Sequence, residues 1–214
     1  MQTVALIDYG SGNLRSAQNA LEKAAGSAPG GAEIRVTADP ETVAAADRIV
    51  LPGVGAFAAC REALMARTGL VEAVTEAVQG RGVPFLGVCV GMQLLASRGL
   101  EFGETPGLDW IPGEVRRLTP ASPTCKVPHM GWNSLDDINP AGLALGLAPD
   151  GAMYFTHSFA FHAADPADVA AFTDHGGRFA AAVARGNVAG VQFHPEKSQS
   201  AGLSLLARFL EWRP

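Results

Sequence analysis

Val83-Pro84-Phe85-Leu86-Gly87-Val88-Cys89-Val90-Gly91 is the stretch whose reading decides the fold. It is apolar through Val88, and a helical pattern begins at Val90 and continues to about Ser97. A buried strand running straight into a helix is the repeating unit of an open parallel sheet. Upstream the unit recurs. Thr3–Asp8 reads as a buried strand, followed by a turn at Gly10, Gly12 and Asn13 and an Ala/Leu helix through about Ala25. Glu33–Thr37 is a second strand, and Asp39-Pro40 reads as the cap and first residue of a short helix. Arg48–Leu51 is a third strand ended by Pro52-Gly53, with helical patterns over Ala56–Arg67 and Leu70–Gln79. This alternation predicts an α/β fold: a mostly parallel central sheet with helices on both faces. The Gly/Ala-rich stretch Ala25–Ala32 reads as a flexible surface loop.

Downstream of Gly99 the texture changes. Short β-like pieces at Glu114–Leu118, Ala152–Thr156, Val169–Phe172, Phe179–Ala184 and Ala189–His194 are expected to extend the sheet as antiparallel or mixed strands. Leu203, Leu206, Ala207 and Leu210 give a final helix an apolar stripe to pack on the sheet. No Ser/Pro/charge-rich linker interrupts the chain, so residues 1–214 are expected to form one domain.

Composition narrows the function classes. Sixteen Lys+Arg against 21 Asp+Glu give a net charge of −5 without a basic cluster, a poor match to nucleic acid or an anionic membrane. The N-terminus lacks a basic region, and its apolar run breaks at Asp8, too short for a signal segment. No stretch approaches the roughly 20 apolar residues of a spanning helix. Cys60, Cys89 and Cys125 are an odd set without a C-x-x-C pair, which points to a reducing cytosol rather than to disulfides or zinc. His129, His157, His162 and His175 show no metal-ligand spacing, so neither a metal nor a cofactor is expected.

The chemistry concentrates at Cys89. Gly87 and Gly91 lie two positions to either side, which is the G-x-S-x-G elbow with Cys in place of Ser. A helix N-terminus favours thiolate over thiol and offers the Val90 amide to an oxyanion. The alternative is a buried Cys whose flanking glycines serve only helix–sheet packing. A base and its orienting carboxylate are available in Gly190-Val191-Gln192-Phe193-His194-Pro195-Glu196. His194 is expected at a strand end, with Glu196 on the same side of an extended segment. Together they fit the nucleophile–base–orienter logic, although a surface His–Glu pair reads the same way in isolation. Pro52-Gly53-Val54-Gly55-Ala56 could turn a second amide toward an oxyanion, or be an ordinary turn. Gly10-Ser11-Gly12-Asn13 lacks a third glycine and reads as a turn only.

Gly87-Val88-Cys89-Val90-Gly91-Met92-Gln93-Leu94-Leu95 and Phe193-His194-Pro195-Glu196 resemble the motifs of the class I (triad) glutamine amidotransferases. Asp8–Arg15, Pro52–Phe57, Pro128–Asn133, Tyr154–Phe159 and Gln192–Ser198 narrow the resemblance to the glutaminase subunits of imidazole glycerol phosphate synthases, over essentially the whole chain. The resemblance implies a Cys89 nucleophile, a His194 general acid/base and a Glu196 orienting carboxylate. It implies an oxyanion hole from the Val90 amide and the Gly53–Val54–Gly55 loop. Glutamine would be held by Gln93, Gly55 and the backbone around His157, Ser158 and Phe159.

The resemblance also implies a partner. Ammonia would pass to a (β/α)8-barrel cyclase, which with a ribulosyl phosphoribosyl-formimino carboxamide nucleotide gives imidazole glycerol phosphate and an aminoimidazole carboxamide ribotide in histidine biosynthesis. Trp132 and Lys197 resemble partner-facing positions, although Trp132 reads equally as a core indole. Position 90 is Val where such enzymes often have Leu, and Leu100–Asp109 follows no recognised pattern. Three rival readings are a subunit feeding a chorismate-processing synthase, a regulatory subunit lacking catalysis, and a Cys hydrolase of another γ-glutamyl or ester substrate. The first would more usually carry PGPG after strand three and would lack His129–Asn133. The intact Cys89, His194 and Glu196 speak against the second, and Gln93 against the third.

Overall fold

The structure, a computed structural model, describes residues 1–26, 30–149 and 151–214. The elements in chain order are β1 (Gln2–Ile7), α1 (Leu14–Ala25), β2 (Ala32–Thr37), α2 (Pro40–Ala44), β3 (Arg48–Gly53), α3 (Phe57–Met65) and α4 (Leu70–Thr75). There follow β4 (Phe85–Cys89), α5 (Val90–Gln93), β5 (Arg98–Gly99), β6 (Thr105–Pro106), β7 (Gly113–Arg117) and β8 (His129–Asn133). The chain continues through α6 (Pro140–Ala144), β9 (Met153–His157), β10 (Phe159–Ala163), β11 (Val169–Asp174), β12 (Arg178–Arg185), β13 (Val188–Val191) and α7 (Gln199–Glu211).

A seven-stranded sheet runs in the order β11-β12-β13-β4-β3-β1-β2. Its strands from β13 to β2 are parallel, and β12 and β11 add antiparallel at one edge. Strands covered on both faces need uninterrupted apolar runs. Val4–Ile7 and Phe85–Leu86 are fully buried, each large side chain contributing roughly 1.5–3 kcal/mol by leaving water. Right-handed crossovers put α1, which packs against α7, on one face and α2, α3 and α4 on the other. The predicted α/β architecture is thus the observed one.

The order β2-β1-β3 means the chain leaves β1 toward one side and returns on the other. The crevice outside the carboxyl ends of β1 and β3 is therefore the topological switch point, where ligands of open α/β sheets gather. The loop 8–13 and the loop 54–56 meet there, beside the end of β4 and Cys89.

Several expectations need correction. The helix after Cys89 stops at Gln93, not near Ser97. The amides of Leu108, Trp110 and Asp109 claim the carbonyls of Leu94, Leu95 and Ala96, which a longer helix would have used internally. Glu114–Leu118 and Ala152–Thr156 do not extend the main sheet. The former falls in β7 of a separate four-stranded sheet, β10-β7-β5-β6, and the latter in β9, which pairs with β8 in a two-stranded ribbon. β3 runs through Pro52 and Gly53 rather than ending before them, and the helix from Leu70 gives way to a π-turn at Glu76–Gly80. The buried stripe of α7 is Gly202, Leu205, Leu206, Phe209 and Leu210, so Leu203 and Ala207 only flank it. The loop expected over Ala25–Ala32 falls partly on residues 27–29, which lie outside the described residues.

Candidate active site

Cys89 is the last residue of β4 and the N-cap of α5, and its backbone sits at φ 56°, ψ −112°. A non-glycine residue holds a positive φ only where its surroundings enforce it. Here the enforcement is close packing of backbone. A methyl on Gly87 would lie 2.5 Å from the Gly91 carbonyl oxygen, and one on Gly91 would lie 1.9 Å from that of Leu51. The two glycines let β3, β4 and α5 converge so that the thiol stands at the turn, as an elbow requires.

His194 and Glu196 follow β13, the parallel neighbour of β4. The segment is not extended as expected: β13 ends at Val191, and Pro195–Lys197 form a 3-10 turn capped by His194. The turn itself brings Glu196 round, and Nδ1 of His194 meets Oε1 of Glu196 at 2.8 Å. Both side chains are almost wholly buried. With Nδ1 donating to the carboxylate, Nε2 faces inward without a nitrogen or oxygen partner, open to the Cys89 sulfur. Burial disfavours the imidazolium, but the Cys89 sulfur and the Glu196 carboxylate outweigh it and push His194 up to about 9.

Above this group lies a cleft of about 350 Å³. Cys89, Val90, Val54, Gly55, Gln93, His157, Ser158, Phe159, His194 and Lys197 all line it. Gly53 stands behind the loop, where a side chain would strike the Gly91 nitrogen and the Tyr9 hydroxyl. Trp132 lies outside the cleft, 48% exposed, with its ring edge-on to Tyr154 at 5.7 Å. Lys197 Nζ lies 5.7 Å from the same Tyr154 ring, and the exposure of Trp132 makes it a surface residue and not a core indole.

Two contacts alter the expected roles. The Val54 N–H donates to the Ser11 hydroxyl at 3.3 Å, so in this structure it is engaged there and not presented to Cys89. The His157 imidazole donates from Nδ1 to the Phe159 carbonyl at 2.8 Å, and its Nε2 meets Nδ1 of His129 at 3.1 Å. Its side chain is committed internally, which leaves only the backbone of that segment for a ligand. The single-turn α5 also supplies less of a dipole than a longer helix would, so the Val90 amide itself is the main contribution at that end.

Sequence reasoning missed Glu101. It lies in the stretch without a recognised pattern, yet it lines the cleft, and its Oε2 accepts from the Phe57 N–H at 2.8 Å. That bond caps α3 and fixes a carboxylate at the mouth of the site. A glutamate following a two-residue strand offers no periodic signal. Among the described residues no group of three or more His, Cys, Asp or Glu is arranged to hold a metal ion, and no helix is long and apolar enough to cross a membrane.

A thiol in a strained elbow, an imidazole fixed by a buried carboxylate and a backbone amide at the start of a helix are the parts of acyl transfer to cysteine. The chain belongs to the family described as glutamine amidotransferase class-I, which matches residues 5–212. It is 62% identical to imidazole glycerol phosphate synthase subunit HisH of Caulobacter vibrioides, over all of both chains. The subunit HisH of Rhodospirillum rubrum is 56% identical over 99% of each chain. The structure of PurLQS from Thermotoga maritima superposes with a TM-score of 0.66 at 18% identity, covering 99% of each chain, which shows the shared fold.

Proposed function

We propose that the chain is the glutaminase subunit of an imidazole glycerol phosphate synthase, working in the cytosol with a (β/α)8-barrel cyclase partner in histidine biosynthesis. The observation that carries this reading is that the ends of two adjacent parallel strands bring Cys89 and His194 to one cleft, with Glu196 hydrogen-bonded behind His194. The full-length relatives, HisH subunits of imidazole glycerol phosphate synthase, support the assignment to this synthase.

In this mechanism the Cys89 proton rests on His194 Nε2, giving a thiolate–imidazolium pair, and the sulfur attacks the side-chain carbonyl carbon of glutamine. The carbon–nitrogen bond breaks as His194 returns the proton to the departing nitrogen, releasing ammonia and leaving a thioester. Water, deprotonated by His194, then cleaves the thioester to glutamate. Glu196 holds the imidazole in the tautomer and orientation that both steps need. Val90 N–H stabilises the oxyanion, and a second donor comes from the Gly53–Gly55 loop once Val54 leaves Ser11. Gln93 and the His157–Phe159 backbone hold the substrate, and the Glu101 carboxylate suits its α-ammonium group.

The exposed side chains of Met130 and Trp132 on β8, together with the exposed Lys197, form the partner face. The experiment is co-purification of the chain with the barrel cyclase, followed by measurement of glutamate release with and without the nucleotide substrate. A complex whose glutamate release the nucleotide stimulates is the expected result. A chain that forms no such complex, or releases no glutamate within it, defeats the proposal.

A further inference from the structure

We propose that Gln192 is a positioning residue that ties Gln93 to the nucleophile, its carboxamide oxygen holding the Gln93 amide while its own N–H₂ donates to the Cys89 sulfur. The inference rests on the reading of Cys89 as the nucleophile, and it extends the hydrogen-bonded site by one buried side chain.

Gln192 is completely buried one residue past β13, beside Cys89 on the adjacent strand. A buried carboxamide must find partners for both its ends. Which end is oxygen and which nitrogen follows from the chain of contacts. Gln93 Nε2 lies 3.0 Å from the Phe159 carbonyl oxygen, which can only accept, so that atom of Gln93 is a donor. The same nitrogen lies 3.0 Å from the nearer carboxamide atom of Gln192, which must therefore be the acceptor Oε1. The remaining end of Gln192 is then Nε2, and it lies 3.8 Å from the Cys89 sulfur.

The sulfur is thus flanked by His194 and by a neutral donor that cannot change its charge. A fixed N–H donor stabilises the thiolate left when the proton moves to His194. The same side chain fixes Gln93 at the substrate cleft, so that glutamine and sulfur are held by one hydrogen-bonded unit. The charged and titratable groups around the site are His194 with Glu196 behind it, Tyr9 after β1, Glu101 after β5, His157 at the end of β9 and Lys197. Gln192→Leu removes none of these groups and adds no charge among them.

The test is the pH dependence of Cys89 alkylation by iodoacetamide in the full chain, which requires neither glutamine nor the cyclase. Gln192→Leu removes both contacts. Gln192→Glu keeps an oxygen for Gln93, removes the donor to sulfur and sets a carboxylate beside it, so Gln192→Leu is the variant that isolates the lost donor. Both are expected to raise the pH at which alkylation is half-maximal, slowing it roughly three- to tenfold at neutral pH, a tenfold loss of thiolate corresponding to about one pH unit. Gln192→Glu should retain a near-normal KM for glutamine with a reduced kcat in the complex. Superimposable alkylation profiles would overturn the proposal, because a merely structural role alters yield or KM and leaves the profile in place. If neither variant folds, the unaltered protein decides: the 15N side-chain amide signals of Gln192 must shift when Cys89 is alkylated, and their failure to move refutes the contact. A wild-type complex that releases no glutamate would instead defeat the glutaminase reading, whatever the alkylation shows.

Discussion

The Val54 amide points at the Ser11 hydroxyl, N to Oγ 3.3 Å, and the same hydroxyl donates back to the Val54 carbonyl oxygen at 2.7 Å. Both backbone groups of one residue are held by one side chain. Cys60 adds a third contact, its thiol donating to the Val54 carbonyl at 3.2 Å. Ser11 follows β1 and Val54 follows β3, so this latch closes across the switch point of the sheet. On one side Gly53 is wedged against α5 and cannot yield. On the other, Gly55 stands at φ +100° in open space and gives the loop its freedom.

Ser11→Ala is therefore expected to release the loop. A hydrogen bond of this kind contributes about 0.5–1.5 kcal/mol net, which corresponds to a shift of roughly two- to tenfold in the loop population. Glutamate release by the chain without its partner should rise by that factor, while the rate of the nucleotide-bound complex changes little. A fall in the isolated rate would place Ser11 in the service of the active loop instead of the resting one.

Cys89→Ala is expected to abolish glutamine-dependent synthesis in the complex and leave synthesis from added ammonium salt intact. Under the proposed function the ammonia-using chemistry belongs to the partner, so only its source is lost. Loss of both activities would assign Cys89 to folding or assembly.

How much of this was legible in the sequence depends on whether a contact is local. The elbow at Gly87–Gly91 and the four parallel strands β1 to β4 were readable because apolar runs and glycine spacing act over a few residues, whereas β13, expected among the antiparallel or mixed pieces, pairs parallel with β4. The His194–Glu196 pair was readable as a pair, although the geometry joining them is a 3-10 turn and not the extended segment expected. Ser11, Glu101 and Gln192 were passed over for one physical reason. Each acts on a residue more than 40 positions away, and nothing in the surrounding sequence marks such a contact. The strand His129–Asn133 was missed as a strand for another reason: it buries the polar His129 and exposes the apolar Met130 and Trp132, the reverse of the usual alternation.

Glu196→Gln keeps the shape of the carboxylate and removes its charge. Only the Cys89 sulfur then opposes burial at His194, whose imidazolium is held up to about 9 in the intact site by the Cys89 sulfur and Glu196 against burial. The variant should lose the imidazolium at a lower pH than the wild type, which keeps it until about 9. Glutaminase activity should fall on the order of 10²–10³-fold, within the range of a general acid–base contribution, with its alkaline limit moved down. A variant with an unshifted alkaline limit would mean that Glu196 does not act on this histidine.

Gly91→Ala should be more disruptive than an ordinary glycine substitution. The added methyl would stand 1.9 Å from the Leu51 carbonyl oxygen in backbone that cannot move without parting β3 from α5. Overpacking typically costs 1–3 kcal/mol, occasionally more, and this site combines it with the strained Cys89. Urea unfolding should show a loss of about 3 kcal/mol or more, and retention of wild-type stability would contradict the packing described.

Acid stability should depend on the paired histidines behind the cleft. Burial lowers His129 to about 4 and His157 to about 3, from the usual 6.5. Below pH 6.5 the unfolded chain takes up protons that the folded pair refuses, so stability falls as pH drops from 6.5 toward 4. His194 does not contribute in that window. Its pKa is raised in the fold, so its contribution is fully present below 6.5 and is lost only as pH rises toward 9. Burial lowers His162 as well, so His129→Gln removes one of three refused protons and, although it also loses the contact with His157, should cut the pH slope of unfolding free energy between 6 and 5 by roughly a third. Urea titrations across that interval measure the slope directly. An unchanged slope would mean that the acid sensitivity resides in groups other than this pair.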